Sequence, residues 1–296
     1  MNKIPVGKTV AFAYNFLFTR IGTVAGVAGL PALLSSAVDY LVRSYTSTEE
    51  PEAAAGTNLL IWLVGTVTTI FISSVATVGI TRAALGLPLG SGAYYFPVGP
   101  LELRMFVAKL GFWLGVVVLL ILASLVASVA FMLAGVPIDG AGTVEPSAAT
   151  LVAGLATWAA FAYAIVTILR MGFLLSVTVV SEDKGGLRRS HDLARGNVWR
   201  MVAVVLALAA PILVLVSIAG AVLLRAALGP DYANVLERDG MLELMRRGEE
   251  AVAQNLLLWE VFNAAIFIVA SGLIYAASAY AYCAVTGKPL PDKSAR

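Results

Sequence analysis

The stretch LGFWLGVVVLLILASLVASVAFMLAGVPI, Leu110–Ile138, contains no charged residue. A helix needs about 20 predominantly apolar residues to cross a hydrocarbon core about 30 Å thick. A soluble domain offers no place for an apolar run of this length, so the stretch reads as a membrane span. Working outward from it, five more such runs occur at Ile21–Val38, Thr57–Thr81, Pro146–Leu169, Met201–Leu224 and Val261–Gly287. The reading is an all-α polytopic integral membrane protein with six transmembrane helices and short interfacial amphipathic helices. The spans are expected over 21–42, 57–81, 106–135, 149–170, 201–225 and 257–284.

Composition supports this class. The chain of 296 residues is 59% hydrophobic and 13% charged, with mean hydropathy +0.88. An ordinary soluble domain has roughly 25% charged residues. Six spans and their loops use nearly the whole length, so a single membrane domain over 1–296 is expected, with no separate soluble catalytic domain. The one cysteine, Cys283, excludes an intrachain disulfide, and His191 is the only histidine. Neither a CxxC nor a Cys/His metal site can be built from them. No cofactor and no nucleic-acid partner are expected.

The loops alternate in charge. Lys3, Lys8, Arg20, Arg82, Arg104, Lys109, Lys184, Arg188, Arg189, Arg195, Arg200, Lys288, Lys293 and Arg296 fall on one side. Arg43, Arg225, Arg238, Arg246 and Arg247 fall on the other, together with most of the acids, among them Glu49, Glu50, Asp139, Asp231 and Glu243. Positive residues stay in the cytoplasm. The expected topology has both termini cytoplasmic in a bacterial inner membrane. The first span is expected to be a retained signal anchor rather than a cleaved leader.

Between the spans lie segments expected at the interface, about 4–20, 86–104 and 171–197, and an external loop over 229–255. In Ile4–Arg20, Lys8, Asn15 and Thr19 form a narrow polar stripe, which suits either an interfacial helix or an extension of span one. Pro100 is expected to open a helix at its first turn, with Glu102 near the positive helix end. Tyr94-Tyr95-Phe96 has the composition of an interface anchor. After Arg170, Met171–Ser181 is again uncharged. The expectation is a bend at Gly172 that sends this segment along the interface; the alternative places Arg170 within the membrane. Gly186–Asn197 reads as a short amphipathic helix, with Leu187, Ser190 and Ala194 on one face and an Arg188–Asp192 pair. In the external loop, Leu236, Met241, Leu242, Leu244 and Met245 suggest a surface helix. Gly22-x-x-x-Gly26, Gly29 and Gly111-x-x-x-Gly115 are expected at close helix contacts, and Pro31 is expected to kink span one. Arg82 and Arg170 occupy corresponding places in the two halves, the signature of either an internal repeat or a shared topology.

Arg170-Met-Gly-Phe, followed by Lys184-Gly-Gly-Leu-Arg-Arg-Ser190-His-Asp-Leu-Ala-Arg195-Gly-Asn197-Val-Trp199-Arg200, resembles a pattern of six-helix bacterial inner-membrane proteins. That set includes the membrane domain attached to some glycerophosphoryl diester phosphodiesterases and many stand-alone members. Ser190, Leu193, Gly196, Asn197, Trp199 and Arg200 match it, whereas His191 and Ser176 stand where Trp and Pro are common. Arg82-Ala-Ala-Leu85 with Gly99-Pro-Leu-Glu102-Leu-Arg104 looks similar to stand-alone members. The resemblance implies the six-span plan and says little about activity, because the function of the set is poorly defined; the phosphodiesterase chemistry of fused members is expected in a separate domain outside these six spans.

No catalytic or transport motif is visible. An ionisable group in or beside a span calls for a partner or a wet cavity, which singles out Arg170, with Glu102, Glu182 and Asp183 as candidate partners. Arg82, Glu102, Arg104, Arg170, Arg189 and Arg200 form the candidate lipid-phosphate or structural polar cluster; the plainer reading is that the arginines snorkel and mark the membrane boundary. Glu260, with Asn263 one turn on, is the candidate intramembrane carboxylate. Two functions follow: a non-enzymatic scaffold or accessory protein in envelope or membrane homeostasis, or a transporter or lipid-handling protein with a cytoplasmic basic pocket. Expected partners are membrane lipids, anionic ones included, and a protein partner or a second copy of the chain.

Overall fold

The structure, a computed structural model, describes residues 2–46, 55–89, 96–135, 147–182, 186–228, 247, 248, 252 and 254–289. Six of its helices are long and apolar enough to cross a membrane, and no strand occurs among the described residues. The helices are α1 Val6–Thr19, α2 Ile21–Thr46, α3 Ala55–Ala84, α4 Pro100–Leu133, α5 Ala148–Gly172, α6 Leu175–Ser181, α7 Leu187–Ala194, α8 Val198–Leu228 and α9 Leu256–Thr286. Glu50, Tyr94, Tyr95, Asp139, Asp183 and the 229–246 part of the acidic loop lie outside the described residues.

The long helices pack as neighbours α2 on α3, α3 on α4, α4 on α5, and α9 across α2 and α3. Gly287 comes within 3.9 Å of the Asn2 side chain when a Cβ is built on it, so the chain returns to where it began. We call this end the basic end.

Loop chemistry sets the helix limits. Pro100 stands at the first turn of α4, and the Glu102 carboxylate accepts from the Gly99 N–H at 3.1 Å, the glutamate half of a capping box. The helical part of the segment expected at the interface over 86–104 therefore belongs to α4. A break at Arg20 separates α1 from α2, so residues 4–20 do not simply lengthen span one. α1 turns Thr9, Ala13, Phe16 and Leu17 inward onto α9 and α8, and leaves Lys8, Asn15 and Thr19 exposed.

The segment after Arg170 departs from expectation. The chain does break after Gly172, but α6 does not lie along the surface. Leu175, Ser176, Val177, Thr178 and Val179 are all buried, among α3, α4 and α9. An uncharged run is equally suited to lipid or to the bundle interior, and here the interior takes it. A Cβ on Gly172 would meet the Phe112 ring at 2.7 Å, so a larger residue here would force that ring to shift.

Glycine contacts also differ from expectation. Built Cβ atoms on Gly22 and Gly29 meet nothing within 4 Å, whereas those on Gly111 and Gly115 make ordinary contacts with Leu187 and Met171. The tight approaches are elsewhere, at Gly65 against Val42 and at Gly272 against Leu17 and Val24. Pro31 is buried inside α2. In α7 the observed ion pair joins Arg195 to Asp192 at 3.9 Å, in place of Arg188 to Asp192. Gly196, at φ +75°, takes the left-handed turn that releases the chain into α8.

Candidate functional site

The basic end is organised around Glu182, the first residue after α6. The last carbonyls of a helix lack intrahelical partners and attract cations. The Arg104 guanidinium of α4 fills this need, donating to the carbonyls of Val179 and Glu182. Beyond the cap, the Glu182 carboxylate accepts from Arg189 Nε of α7 at 2.9 and 3.2 Å, and from the Tyr282 hydroxyl of α9 at 2.9 Å. Lys288 Nζ in turn donates to the Tyr282 oxygen at 3.0 Å and lies 5.1 Å from the centre of its ring. Four helices thus meet at one glutamate.

The electrostatics follow from this geometry. Burial works against the Glu182 carboxylate, yet hydrogen bonds from Arg189 and Tyr282 and the charges of Arg189 and Lys288 hold its pKa below the ordinary value. The Glu182 hydrogen bond holds Arg189 above its ordinary value. The Tyr282 hydrogen bond does the same for Lys288.

A second group pins the N-terminus. Asn197, only 2% exposed, accepts from the Ile4 N–H at 2.9 Å and donates to the Asn2 carbonyl at 3.2 Å. Arg200 donates to the Ile4 carbonyl at 3.1 Å. One amide side chain has both a donor and an acceptor, so it can clasp a backbone segment by both its polar groups.

No family model, curated protein or solved structure matches the chain. Its own geometry is what speaks to function.

The singled-out residues are distributed rather than gathered into one pocket. Arg82 donates to the Pro88 carbonyl at 2.7 Å. Glu102 caps α4 and is 4% exposed. Arg200 holds Ile4. Only Arg104 and Arg189 converge, both on Glu182. Arg170 contacts neither Glu102 nor Glu182 in any described hydrogen bond or ion pair. It lies 3.2 Å from His191 Nε2, and Ser190 Oγ donates to its carbonyl at 3.5 Å. Arginine only donates, so Nε2 is the accepting nitrogen of that ring.

Glu260 is 3% exposed, at the opposite end of the bundle. Its carboxylate lies 3.7 Å from Arg43 Nε, and Ser36 Oγ donates to its backbone carbonyl at 3.1 Å. These contacts tie α9 to α2. Among the described residues no group of three or more His, Cys, Asp or Glu could hold a metal ion.

Sequence reading missed three groups. Tyr282 and Lys288 looked like an ordinary span end. Asn197 carried a signal, as part of the Gly-Asn-x-Trp-Arg run, but its partner lies at the far end of the chain. Lys109 was counted only as a topology charge, yet its ammonium turns into the bundle, 2.6 Å from Thr77 Oγ1 and 3.1 Å from both Ser73 Oγ and the Ser73 carbonyl.

Proposed function

We propose that this integral membrane protein is a non-enzymatic scaffold or accessory subunit of a bacterial cytoplasmic membrane, with its basic end and both termini in the cytoplasm. The observation that carries the reading is the use of the arginines. Arg82, Arg104, Arg189 and Arg200 each bond a backbone carbonyl or carboxylate of the chain itself, and Arg170 bonds His191. Such an arrangement orders a surface formed by several helices rather than presenting converging donors to a phosphate. The apolar faces of α4, α5 and α8, with Leu122, Trp158 and Leu213 exposed, supply area for lipid or for a helix of another protein.

Extraction into native lipid discs, with mass spectrometry of what co-purifies, tests this. A stoichiometric protein partner is the expected result. A selectively enriched anionic lipid without any protein partner overturns it in favour of lipid handling. Orientation is tested separately: reporter fusions at Glu50 and Asp139 are expected to report export, and a cytoplasmic signal at either reverses the topology.

A second reading, a transporter of a small solute, is favoured by one observation, the Lys109 ammonium inside the bundle.

A further inference from the structure

Lys109 lies nine residues into α4, roughly 14 Å along its axis from Pro100. Each contact it makes is with an uncharged group: Ser73 Oγ, the Ser73 carbonyl, Thr77 Oγ1 and, at 5.8 Å, the face of the Tyr275 ring. No described carboxylate comes within ion-pair distance of it. Three acceptors satisfy the ammonium's donors but leave its charge uncompensated, and an uncompensated charge between membrane helices is costly.

The hydroxyls around it are arranged unequally. Thr69, Ser73, Thr77 and Thr81 follow one another at four-residue spacing, on one side of α3. Ser73 Oγ donates to the Ile70 carbonyl at 3.0 Å and Thr77 Oγ1 to the Ser73 carbonyl at 2.7 Å. Their hydrogens are thereby engaged, and their oxygens face Lys109. Thr81 makes no such back-bond. Its side chain is fully buried, yet its hydroxyl has no hydrogen-bond partner among the described residues, and neither has that of Thr69. A buried unsatisfied hydroxyl needs a reason. Here an O–H without a described acceptor stands one turn along α3 from Thr77, the hydroxyl that holds a cation without a described counterion.

We propose that Lys109, Thr77 and Thr81 form a binding site for a small monovalent anion such as chloride. The anion accepts from the Lys109 ammonium and the Thr81 hydroxyl, and replaces the looser 3.1 Å contacts of Lys109 with Ser73. Thr77, at 2.6 Å, keeps the ammonium in place. Arg82 and Arg104, nearer the basic end on α3 and α4, draw anions toward it. Such binding is compatible with a chain that assembles partners and with one that moves the ion.

The test uses the full chain in discs of zwitterionic lipid. Thermal unfolding is followed by tryptophan fluorescence as chloride replaces gluconate at constant ionic strength. A ligand that binds only the folded state raises the midpoint with its concentration. The expected result is a rise that follows a binding isotherm, absent in Lys109→Met. In Thr81→Val the half-effective chloride concentration is expected to rise about tenfold, the worth of one hydrogen bond to a charged group. This second variant keeps its charge and decides the matter where Lys109→Met does not fold. A wild-type midpoint that ignores chloride, or a rise that persists unchanged in Thr81→Val, overturns the proposal and leaves a water at the site. Failure to find a protein partner leaves this result untouched, so the two readings fail separately.

Discussion

The two ends of the bundle are built differently. At the basic end α9 buries a nearly continuous set from Ser271 to Val285, α3 does so from Ser74 to Ala84, and α6 lies inside. Toward the opposite end, where Glu260 sits, α8 buries Met201, Val204 and Leu208 and then nothing more among its described side chains. α4 buries only Ala123 beyond Met105. The less buried spans, α4 and α8, are the more hydropathic ones, so apolar character alone does not draw the helices together. In lipid, apolar area alone gives helices little reason to associate; steric fit and hydrogen bonds do. Those are concentrated where α1, α6 and α7 insert between the span ends. The end at Glu260 retains local ties among the described residues, including the Gly65–Val42 contact, the Glu260–Arg43 pair and the Ser36 bond to the Glu260 carbonyl.

The sharpest way to break this contrast is to place the same side chain at both ends. A Cβ on Gly272 would stand 2.9 Å from Leu17 and 3.0 Å from Val24, while one on Gly220 meets nothing within 4 Å. Gly272→Leu is expected to destabilise the protein by about 3 kcal/mol and Gly220→Leu by less than about 0.5 kcal/mol. Denaturant unfolding in lipid discs measures both. Equal costs would mean the ends are packed alike.

Asn197→Ala comes next. It leaves the buried Ile4 N–H without its acceptor, a loss of about 2 kcal/mol. Hydrogen exchange localises the effect: the Ile4 and Thr9 amides lose protection while the outer half of α9 keeps its own.

The smallest effect is at Glu182. Its bonds to Arg189 and Tyr282 are partly exposed, so Glu182→Gln is expected to cost about 1 kcal/mol. The sign of the pH dependence is fixed by direction. A carboxyl held below its unfolded value of 4.5 stabilises above that pH and loses its contribution as pH falls through the folded value. Lys288, held above 10.5, contributes below that pH and loses its share as pH rises further. Wild type and Glu182→Gln are therefore expected to differ most between about pH 5 and 10 and to converge in acid. A constant difference down to pH 3 would show that the glutamate does not act through its charge.

This contrast also explains what could be read in advance. The six spans were legible because their uncharged length has one physical meaning, and the α4 cap was legible because Pro100 and Glu102 act locally. The burial of α6 was not, since an apolar run does not say whether it faces lipid or protein. The Arg82, Arg104, Arg170, Arg189 and Arg200 set looked like a single pocket because positive charge clusters on that side. Arg82, Arg104 and Arg200 instead donate to separate backbone carbonyls, which no sequence pattern marks. Glu182 was a candidate for Arg170, and the fold gives it to Arg189 and Tyr282 instead. Ser73 and Thr77 looked like ordinary span residues until α4 brought Lys109 against them.

The clasp at Asn197 carries a consequence for the order of events during synthesis. Ile4 and its acceptor are 193 positions apart. Ile4 leaves the ribosome well before its partner and waits until the turn between α7 and α8 has been made. Until then α1 has neither α8 nor α9 to rest against. Closure of the basic end is thus a late step, and a bulky group fused directly before Asn2 is carried to the seam at the moment it closes.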